Sequence, residues 1–372
     1  MPPAAPIRVL IADDSSLVRG LLRSILQTQP DIEVVGEATN GQQAIELTAS
    51  LRPHLVTMDL EMPGVDGLQA IEAIMCSRAV PIVVVSSAAD ALHALQAVEH
   101  GALEVIAKPD TSPASMAAFI AKVRMLAGVA VITRLRPRTP LAPAPLLTSA
   151  SGASHAMGTS TPAPHPLSAQ ALGWARRPSF PWVFAMAAST GGPQVLAQIL
   201  PGLPVGFSCP VLVAQHISDG FAQGMVDWLA SLCRLPVQLA REGQTLQPGM
   251  IYIAPSERNL AVTRQGNLHL PLCADGDPYH PRCDVLLEAV AQAFGAQAVG
   301  IVLSGMGHDG AAGMAAIAAA GGRTWAQDEA SSLIFGMNQI AIARGAVQQV
   351  LAPSAILARM CALGSAQGPG HG

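Results

Sequence analysis

Three polar residues in the C-terminal half have the side chains that a serine hydrolase needs. Ser189 ends the apolar run WVFAMAAS, His216 ends PVLVAQH, and Asp309 lies in the glycine-rich loop after AVGIVLS. A serine hydroxyl becomes a good nucleophile when a base removes its proton, and an acid must hold that base in one tautomer. Each residue follows a strand-like segment, so the three would meet at the carboxyl edge of a parallel sheet. The pattern predicts serine hydrolase chemistry.

The segments around these residues favour the same chemistry. Two glycines and a proline follow Ser189, which permits a tight turn into a helix whose N-terminal amides stabilise an anion. The loop 305–307 contains two glycines and can bring backbone N–H groups close to an oxyanion. One such donor is worth about 10²–10³ in rate.

Each of the three residues also has an ordinary structural explanation: a turn serine, a structural histidine and a helix cap. His280 and His308 are rival bases, and Asp284 is a rival acid. The chain order serine, histidine, aspartate differs from that of lipase-type hydrolases, and Ala replaces the first glycine of their Gly-x-Ser-x-Gly turn. An ordinary lipase-type fold is therefore not expected.

The N-terminal half carries a second cluster of chemical groups at its strand ends. Asp13 and Asp14 follow one strand-like segment, and Asp59, Ser86 and Lys108 lie at the ends of three others. Clustered carboxylates repel one another unless a cation lies among them, and hard oxygen ligands select Mg²⁺. A metal, a lysine and a hydroxyl would also neutralise a phosphoryl group on an aspartate. Any one of these residues could be a cap or a surface charge, but five at four strand ends favour a site.

The elements that position both clusters read as two α/β domains. Residues 1–127 alternate five apolar runs with helical patterns, which predicts a flavodoxin-like five-stranded parallel sheet with helices on both faces. Residues 128–178 are rich in Pro, Ala, Ser and Thr, which is typical of a linker. Residues 179–363 resume the alternation and predict a doubly wound α/β domain. The tail 364–372 is predicted to be flexible.

Composition excludes several other classes of protein. Half of the 372 residues are hydrophobic, 12% are charged, and the formal net charge is -4, so no basic surface for nucleic acid is expected. The uncharged stretch 178–215 is broken by prolines and glycines into pieces too short to span a membrane. Six scattered cysteines without a C-x-x-C pair, and no basic leader, predict a reduced cytoplasmic chain.

The motifs ADDS, MDLEMPGVDG, VVVSS and KP of the N-terminal half resemble the receiver domain of two-component response regulators. The resemblance implies that a histidine kinase supplies a phosphoryl group to Asp59 and that Mg²⁺ assists. It implies the following contacts: Asp13, Asp14, Asp59 and the Glu61 backbone carbonyl for Mg²⁺, and Ser86 and Lys108 for the phosphoryl group. Many receivers carry an aromatic switch residue three positions before the lysine, where this chain has Val105.

The motifs AASTGGPQ, AQHISDGF, LSGMGHDGAAGM and AQDEASSLIFGM resemble the catalytic domain of chemotaxis protein-glutamate methylesterases, the CheB family. The resemblance implies Ser189 as nucleophile, His216 as general base, Asp309 as orienting acid and the Met306 amide as oxyanion donor. It implies hydrolysis of glutamate γ-methyl esters on chemoreceptors without a cofactor, deamidation of receptor glutamines, and relief of receiver inhibition by phosphorylation at Asp59.

The chain departs from the family pattern at several positions. Asn259 stands where a histidine is common, Asn338 where a proline is usual, and Cys283 and Asp284 lie in a segment that often reads Ser-Val-Asp. Two other functions remain open on the residues alone. One is a non-enzymatic response regulator whose second half binds a partner, and the other is a hydrolase of a different substrate, such as protein glutamine side chains.

Overall fold

The computed structural model describes residues 5–87, 90–131, 180–274, 277 and 279–365. It contains two α/β domains, each built on a parallel sheet, which confirms the predicted fold class. The predicted linker 128–178 lies outside the described residues apart from 128–131, and the predicted tail 364–372 lies outside them apart from 364–365. The proposed domain boundaries therefore stay predictions.

The N-terminal domain alternates strands and helices along the chain. Its strands are β1 (Ile7–Ala12), β2 (Ile32–Ala38), β3 (Leu55–Met58), β4 (Ile82–Ser86) and β5 (Glu104–Ala107). Its helices are α1 (Ser16–Gln27), α2 (Gly41–Leu51), α3 (Gly67–Ser77), α4 (Ala91–His100) and α5 (Pro113–Ala127). The strand order is β2-β1-β3-β4-β5, and all neighbours are parallel.

Local sequence explains where several of these helices begin. The side chains of Ser15, Asn40, Asp66 and Ser112 each accept a hydrogen bond from a backbone amide in the first turn of the next helix. Such caps satisfy amides that lack a partner within the helix, typically for about 1 kcal/mol each. They fix the loops at the carboxyl edge of the sheet, where the acidic cluster lies.

The C-terminal domain has a larger sheet. The strands of that sheet are β6 (Val183–Ala188), β7 (Val211–Gln215), β8 (Val237–Leu239), β9 (Ile251–Ile253), β12 (Ala298–Val302), β13 (Arg323–Gln327) and β14 (Gln349–Leu351). A separate antiparallel pair consists of β10 (Ala261–Val262) and β11 (Leu268–His269). The helices are α6 (Gly192–Ile199), α7 (Ala222–Leu232), α8 (Cys283–Phe294), α9 (Ala311–Ala319), α10 (Met337–Ala343) and α11 (Pro353–Ser365).

The order of the large sheet is β14-β13-β12-β6-β7-β9-β8, and its paired strands are all parallel. Strands β6, β7 and β12 lie side by side in its centre, and every residue in them is buried. Burial on both faces explains the uncharged stretch 178–215, since such strands are apolar along their whole length. The sheet order brings the residues that follow β6, β7 and β12 to one edge.

The segment NLAVT contains β10 and lies in the small antiparallel pair rather than in the large sheet. The short strands β8, β11 and β14 and the helices α10 and α11 were not predicted. Their apolar residues are too few, or too weakly periodic, to distinguish these segments from loops.

Candidate active site

Ser189 lies in a tight turn between β6 and α6. Its backbone amide donates to the Ser304 carbonyl at 3.0 Å, and its carbonyl accepts the Gly192 amide at 2.7 Å. Gly191 has a φ of +80°, and a Cβ there would come within 2.7 Å of the Ser304 hydroxyl. Only glycine suits this position. The turn places Ser189 at the start of a helix, and the residue is 5% exposed.

His216 follows β7 and is oriented by Asp309. Its Nε2 atom lies 2.8 Å from Asp309 Oδ2, and its backbone amide donates to the Ala188 carbonyl at 2.9 Å. Asp309 is fully buried and also accepts the backbone amides of Cys283 at 2.6 Å and Asp284 at 2.9 Å. With Nε2 directed at the carboxylate, Nδ1 is the ring nitrogen that remains to act as a base.

The pKa of Asp309 lies below its ordinary value. Burial alone would raise it, but the hydrogen bond and charge of His216, together with the amides of Cys283 and Asp284, outweigh burial. The carboxylate therefore stays ionised and can stabilise an imidazolium. Ser189 and His216 line the same pocket, so the structure brings the predicted trio to one place.

The loop after β12 packs directly against the serine. A Cβ at Gly305 would lie 2.7 Å from Ser189 Cβ, so this position requires glycine. The Gly305 amide is already donated to the Ile334 carbonyl at 3.0 Å. Met306 follows it on the exposed side of the loop, with 51% of its surface accessible. This leaves the Met306 amide, rather than that of Gly305, as the candidate oxyanion donor.

The rival residues occupy other positions. Asp284 Oδ1 accepts the backbone amides of Gly310 at 2.9 Å and Gly313 at 2.7 Å, at the start of α9. The His308 ring packs edge-on against Tyr279, with ring centroids 5.5 Å apart. The His280 carbonyl accepts the Ile217 amide. The geometry favours Asp309 and His216 over these alternatives.

Tyr279 is a site residue that sequence reasoning missed. Its ring stacks on His216 with centroids 5.0 Å apart and an interplanar angle of 25°. A Cβ at Gly307 would lie 2.4 Å from the Tyr279 hydroxyl, so the tyrosine lies between the base and the 305–307 loop. The only sequence signal was an aromatic residue in a chain with few, shortly before a predicted helix.

Asn259 and Asn338, the two asparagines that differ from the family pattern, form hydrogen bonds with backbone segments next to the site. Asn259 Oδ1 accepts the Arg282 amide at 2.8 Å, just before α8 begins. Asn338 Nδ2 donates to the Gln327 carbonyl at 2.8 Å at the end of β13. Both are buried, and both hold backbone segments next to the site.

The acidic cluster of the N-terminal domain also assembles. Carboxylate oxygens of Asp13, Asp14 and Asp59 lie within 4.8 Å of one another. Lys108 Nζ is 3.0 Å from Asp13 Oδ2 and 3.1 Å from Asp59 Oδ2. Ser86 is buried at the end of the neighbouring strand β4. Three hard oxygen donors at one edge of the sheet fit Mg²⁺.

The electrostatics of this cluster also favour a cation. Burial, and then the charge of Asp13, raise the pKa of Asp59 despite the opposing ion pair with Lys108. Burial would lower the pKa of Lys108, but the two carboxylates outweigh it and the net direction is upward. Glu61, whose carbonyl was predicted as a ligand, is exposed two residues after Asp59.

The N-terminal domain packs over the serine pocket. The pocket is lined by Leu95, Val98 and Val105 from one domain, and by Ser189 and His216 from the other. Several hydrogen bonds cross between the domains: Lys122 Nζ to Thr190 Oγ1 at 2.9 Å, Gln194 Nε2 to the Ala102 carbonyl at 2.9 Å, the Ala107 amide to Ser218 Oγ at 3.3 Å, and Trp228 Nε1 to Glu99 Oε1 at 2.7 Å. Residues of the N-terminal domain therefore cover part of the pocket that contains Ser189.

Phe221 ties the two domains together. It precedes α7 in the C-terminal domain, is 1% exposed, and belongs to an apolar cluster otherwise made of buried N-terminal-domain residues such as Ala91 and Ala94. Val105 packs against this same cluster. The C-terminal domain thus supplies an aromatic ring next to the position where many receivers carry their own.

Within the described residues, no helix combines the length and the apolar character needed to cross a bilayer. Comparison with known families gives two matches. A model described as CheB methylesterase matches residues 184–360, and one described as Response regulator receiver domain matches residues 9–120.

Full-length relatives are also similar to this chain. Protein-glutamate methylesterase/protein-glutamine glutaminase 3 of Paramagnetospirillum magneticum is 50% identical over 352 residues, covering 94% of each chain. The Myxococcus xanthus protein of the same name is 41% identical over 345 residues, covering 91% of this chain and 88% of the relative. The crystal structure of the Thermotoga maritima CheB methylesterase catalytic domain is 30% identical with a TM-score of 0.47, covering 49% of this chain and 98% of that one.

Proposed function

This chain belongs to the CheB methylesterase family, and on that premise we propose that it hydrolyses glutamate γ-methyl esters on chemoreceptors and deamidates receptor glutamines. The observation that carries the proposal is the 2.8 Å contact between His216 Nε2 and Asp309 Oδ2 beside Ser189. A buried carboxylate that fixes the tautomer of a histidine next to a serine is the arrangement that activates a serine nucleophile.

In the proposed reaction, Ser189 Oγ attacks the ester carbonyl carbon while His216 Nδ1 takes the hydroxyl proton. Asp309 stabilises the imidazolium, and the Met306 amide donates to the oxyanion of the tetrahedral intermediate. The intermediate collapses when His216 returns the proton to the departing methoxide, so methanol leaves. Water, activated by the same imidazole, then hydrolyses the acyl-enzyme and releases the free carboxylate.

Glutamine deamidation uses the same acyl-enzyme. The leaving group is ammonia instead of methanol, and His216 again supplies its proton. Ester and amide substrates thus differ only in the first half of the reaction. This is the reason that one serine site can serve both activities.

Methanol release from methylated receptor membranes tests the activity, and ammonia release tests deamidation. Ser189→Ala should abolish both, whereas the matched control Ser231→Ala should retain them, because Ser231 caps the Trp228 carbonyl away from the pocket. If the wild-type chain released neither product, the alternative of a non-enzymatic response regulator would be favoured.

We also propose that the N-terminal domain is a Mg²⁺-dependent phosphoacceptor. Asp59 would receive the phosphoryl group from a histidine kinase of the chemosensory system. Asp13, Asp14, Asp59 and the Glu61 carbonyl would hold Mg²⁺, which supplies charge neutralisation when bound. Ser86 and Lys108 would contact the phosphoryl oxygens, so Lys108 would exchange its carboxylate partners for the new group. We place this activity in the cytoplasm, where the kinase and the receptor tails would meet it.

The contact between the domains supports a regulatory role for this phosphorylation. Since N-terminal-domain residues line the serine pocket, the unphosphorylated domain would inhibit hydrolysis by covering it. A coupling of about 1–3 kcal/mol would change activity about 5–150-fold. Asp59→Asn should keep basal methanol release but lose stimulation by a small-molecule phosphodonor. Removal of residues 1–170 should raise basal release, and an unchanged or lower rate in a folded fragment would contradict inhibition by coverage.

A further inference from the structure

A third donor atom lies beside the His216–Asp309 pair. Cys283 Sγ is 3.4 Å from His216 Nε2, and the donor atoms of the three residues lie within 4.8 Å of one another. The thiol is there because α8 begins at Cys283, whose backbone amide is held by Asp309. Cys283 and Asp309 are fully buried, while the His216 side chain is 11% exposed and faces the pocket.

The three atoms form the kind of donor set that borderline and soft cations select. A thiolate, an imidazole nitrogen and a carboxylate oxygen are the ligands of Zn²⁺ and Co²⁺, whereas Mg²⁺ avoids sulfur. Zinc bonds of about 2.0–2.3 Å place tetrahedral ligand atoms about 3.3–3.6 Å apart. The observed sulfur–nitrogen distance of 3.4 Å already fits, and the 2.8 Å nitrogen–oxygen distance would have to widen by about half an ångström.

From this geometry we infer that His216, Cys283 and Asp309 form an inhibitory binding site for a zinc-like divalent cation. The inference rests on the catalytic roles proposed for His216 and Asp309. Two anionic ligands would neutralise the 2+ charge inside a buried site. The fourth tetrahedral position would face the pocket and take a water or the serine oxygen.

The cation would inhibit through the tautomer of His216. A neutral imidazole carries one ring proton, and a metal bound at Nε2 forces that proton onto Nδ1. Nδ1 would then donate rather than accept, so it could no longer take the proton of Ser189. The same cation would withdraw Asp309 from its hydrogen bond with the ring.

The thiol has no comparable role without the cation. The Cys283 side chain is fully buried. Its hydrogen is directed at main-chain carbonyls, with the Ala214 oxygen 3.4 Å from sulfur. Metal binding would expel this proton, as it does from other thiol ligands.

The first test measures binding without using activity. Full-length Ser189→Ala protein, held reduced and saturated with Mg²⁺ to occupy the acidic cluster, is titrated with Co²⁺. We expect a thiolate-to-cobalt charge-transfer absorption together with the intense visible bands of tetrahedral cobalt. Cobalt bound to the all-oxygen cluster of Asp13, Asp14 and Asp59 would give neither. Adding Cys283→Ser to the Ser189→Ala protein should remove the absorption. Adding Cys209→Ser instead, which alters another fully buried thiol, should keep it.

The second test measures inhibition in the active chain. Zn²⁺ should suppress methanol release, chelation should restore it, and Cys283→Ser should raise the inhibitory Zn²⁺ concentration by at least about tenfold. Absence of the cobalt absorption, or its persistence in Cys283→Ser, would overturn the metal site. If Cys283→Ser fails to fold, His216→Asn must remove the absorption instead. Cobalt absorption in Ser189→Ala, combined with no methanol release by the metal-free wild type, would keep the metal site and reject the proposed hydrolysis.

Discussion

Lys122 of the N-terminal domain donates from its ammonium group to the Thr190 hydroxyl across 2.9 Å, one residue beyond Ser189. The same ammonium pairs with Glu104 of its own domain. Thr190 is 1% exposed, so its hydroxyl would otherwise face a closed surface. The contact joins the N-terminal domain directly to the turn that presents Ser189, and it suggests a substitution that would weaken the proposed closed state.

Lys122→Ala should raise methanol release in the absence of a phosphodonor. The substitution removes one partly exposed ion pair and one hydrogen bond, worth at most about 1 kcal/mol, so we expect an increase of up to about fivefold. Arg124→Ala is the matched control, because Arg124 lies on the same helix but pairs with Asp31 within its own domain. Equal basal rates in Lys122→Ala and wild type would show that this contact does not maintain the closed state.

Phe221→Ala should open the domains further than Lys122→Ala does. It removes a buried ring from the apolar cluster that includes Ala91 and Ala94, and burying such a ring is typically worth about 3–5 kcal/mol. The substitution also lowers the stability of the C-terminal domain. The unfolding midpoint is therefore measured together with the basal rate of methanol release. Phe294→Ala, which affects packing on Phe180 away from the N-terminal domain, serves as the control for lost stability. A Phe221→Ala chain that is folded but no faster than wild type would contradict the role given to this ring.

The rule that groups converge at the ends of parallel strands brought Ser189, His216 and Asp309 together as candidates from the sequence. That rule depends only on strand order, which the apolar runs reveal because β6, β7 and β12 are buried on both faces. It does not separate Asp309 from Asp284. The distinction depends on which backbone amides each carboxylate accepts, and no local pattern encodes that.

Other features depend on contacts between distant segments. Tyr279 reaches His216 from an irregular loop before α8, whose path no periodicity predicts. Phe221 looks like the start of an amphipathic helix, and its burial in the other domain appears only when the domains meet. Val105 was the sequence signal at this position, since many receivers have an aromatic residue three positions before the lysine. The sequence could not say what would fill the space.

Asp309→Asn should reduce kcat for ester hydrolysis by about 10⁴ while leaving the chain folded, because an amide no longer fixes the tautomer of His216. Asp284→Asn is the informative comparison. Its carboxylate accepts the amides of Gly310 and Gly313, so its replacement should lower the unfolding midpoint more than it lowers kcat. Reversed effects in the two variants would exchange the roles assigned to these acids.

The lowered pKa of Asp309 predicts a specific pH dependence of stability. A carboxyl whose folded pKa is depressed adds stability above its unfolded pKa of about 3.9 and loses that stability as pH falls through the folded value. The free energy of unfolding of the wild type, measured with urea, should therefore decrease as the pH falls below about 4. Asp309→Asn should show a shallower decline over the same range. If the unfolding free energies of the two proteins declined equally with pH, Asp309 would not be the source of this pH dependence.

Asp59→Asn should stabilise the N-terminal domain at neutral pH, since the folded pKa of Asp59 is raised by burial and by Asp13. A carboxyl with a raised folded pKa favours folding at low pH and opposes it once the pH exceeds that value. Removing the charge should therefore raise the unfolding free energy at pH 7 by about 1 kcal/mol, the scale of a typical single substitution.

Mg²⁺ should reduce the difference in unfolding free energy between Asp59→Asn and the wild type. A cation bound to Asp13, Asp14 and Asp59 stabilises the wild type, because it neutralises the carboxylate charge that opposes folding when no cation is bound. Thermal unfolding with and without Mg²⁺ measures the effect. Asp31→Asn provides a control acid in the same domain, since Asp31 precedes β2 at the opposite edge of the sheet and pairs with Arg124, and its response to Mg²⁺ should equal that of the wild type. A larger Mg²⁺ response in Asp59→Asn than in wild type would rule out the predicted ligand set, because removing a ligand cannot strengthen the site that depends on it.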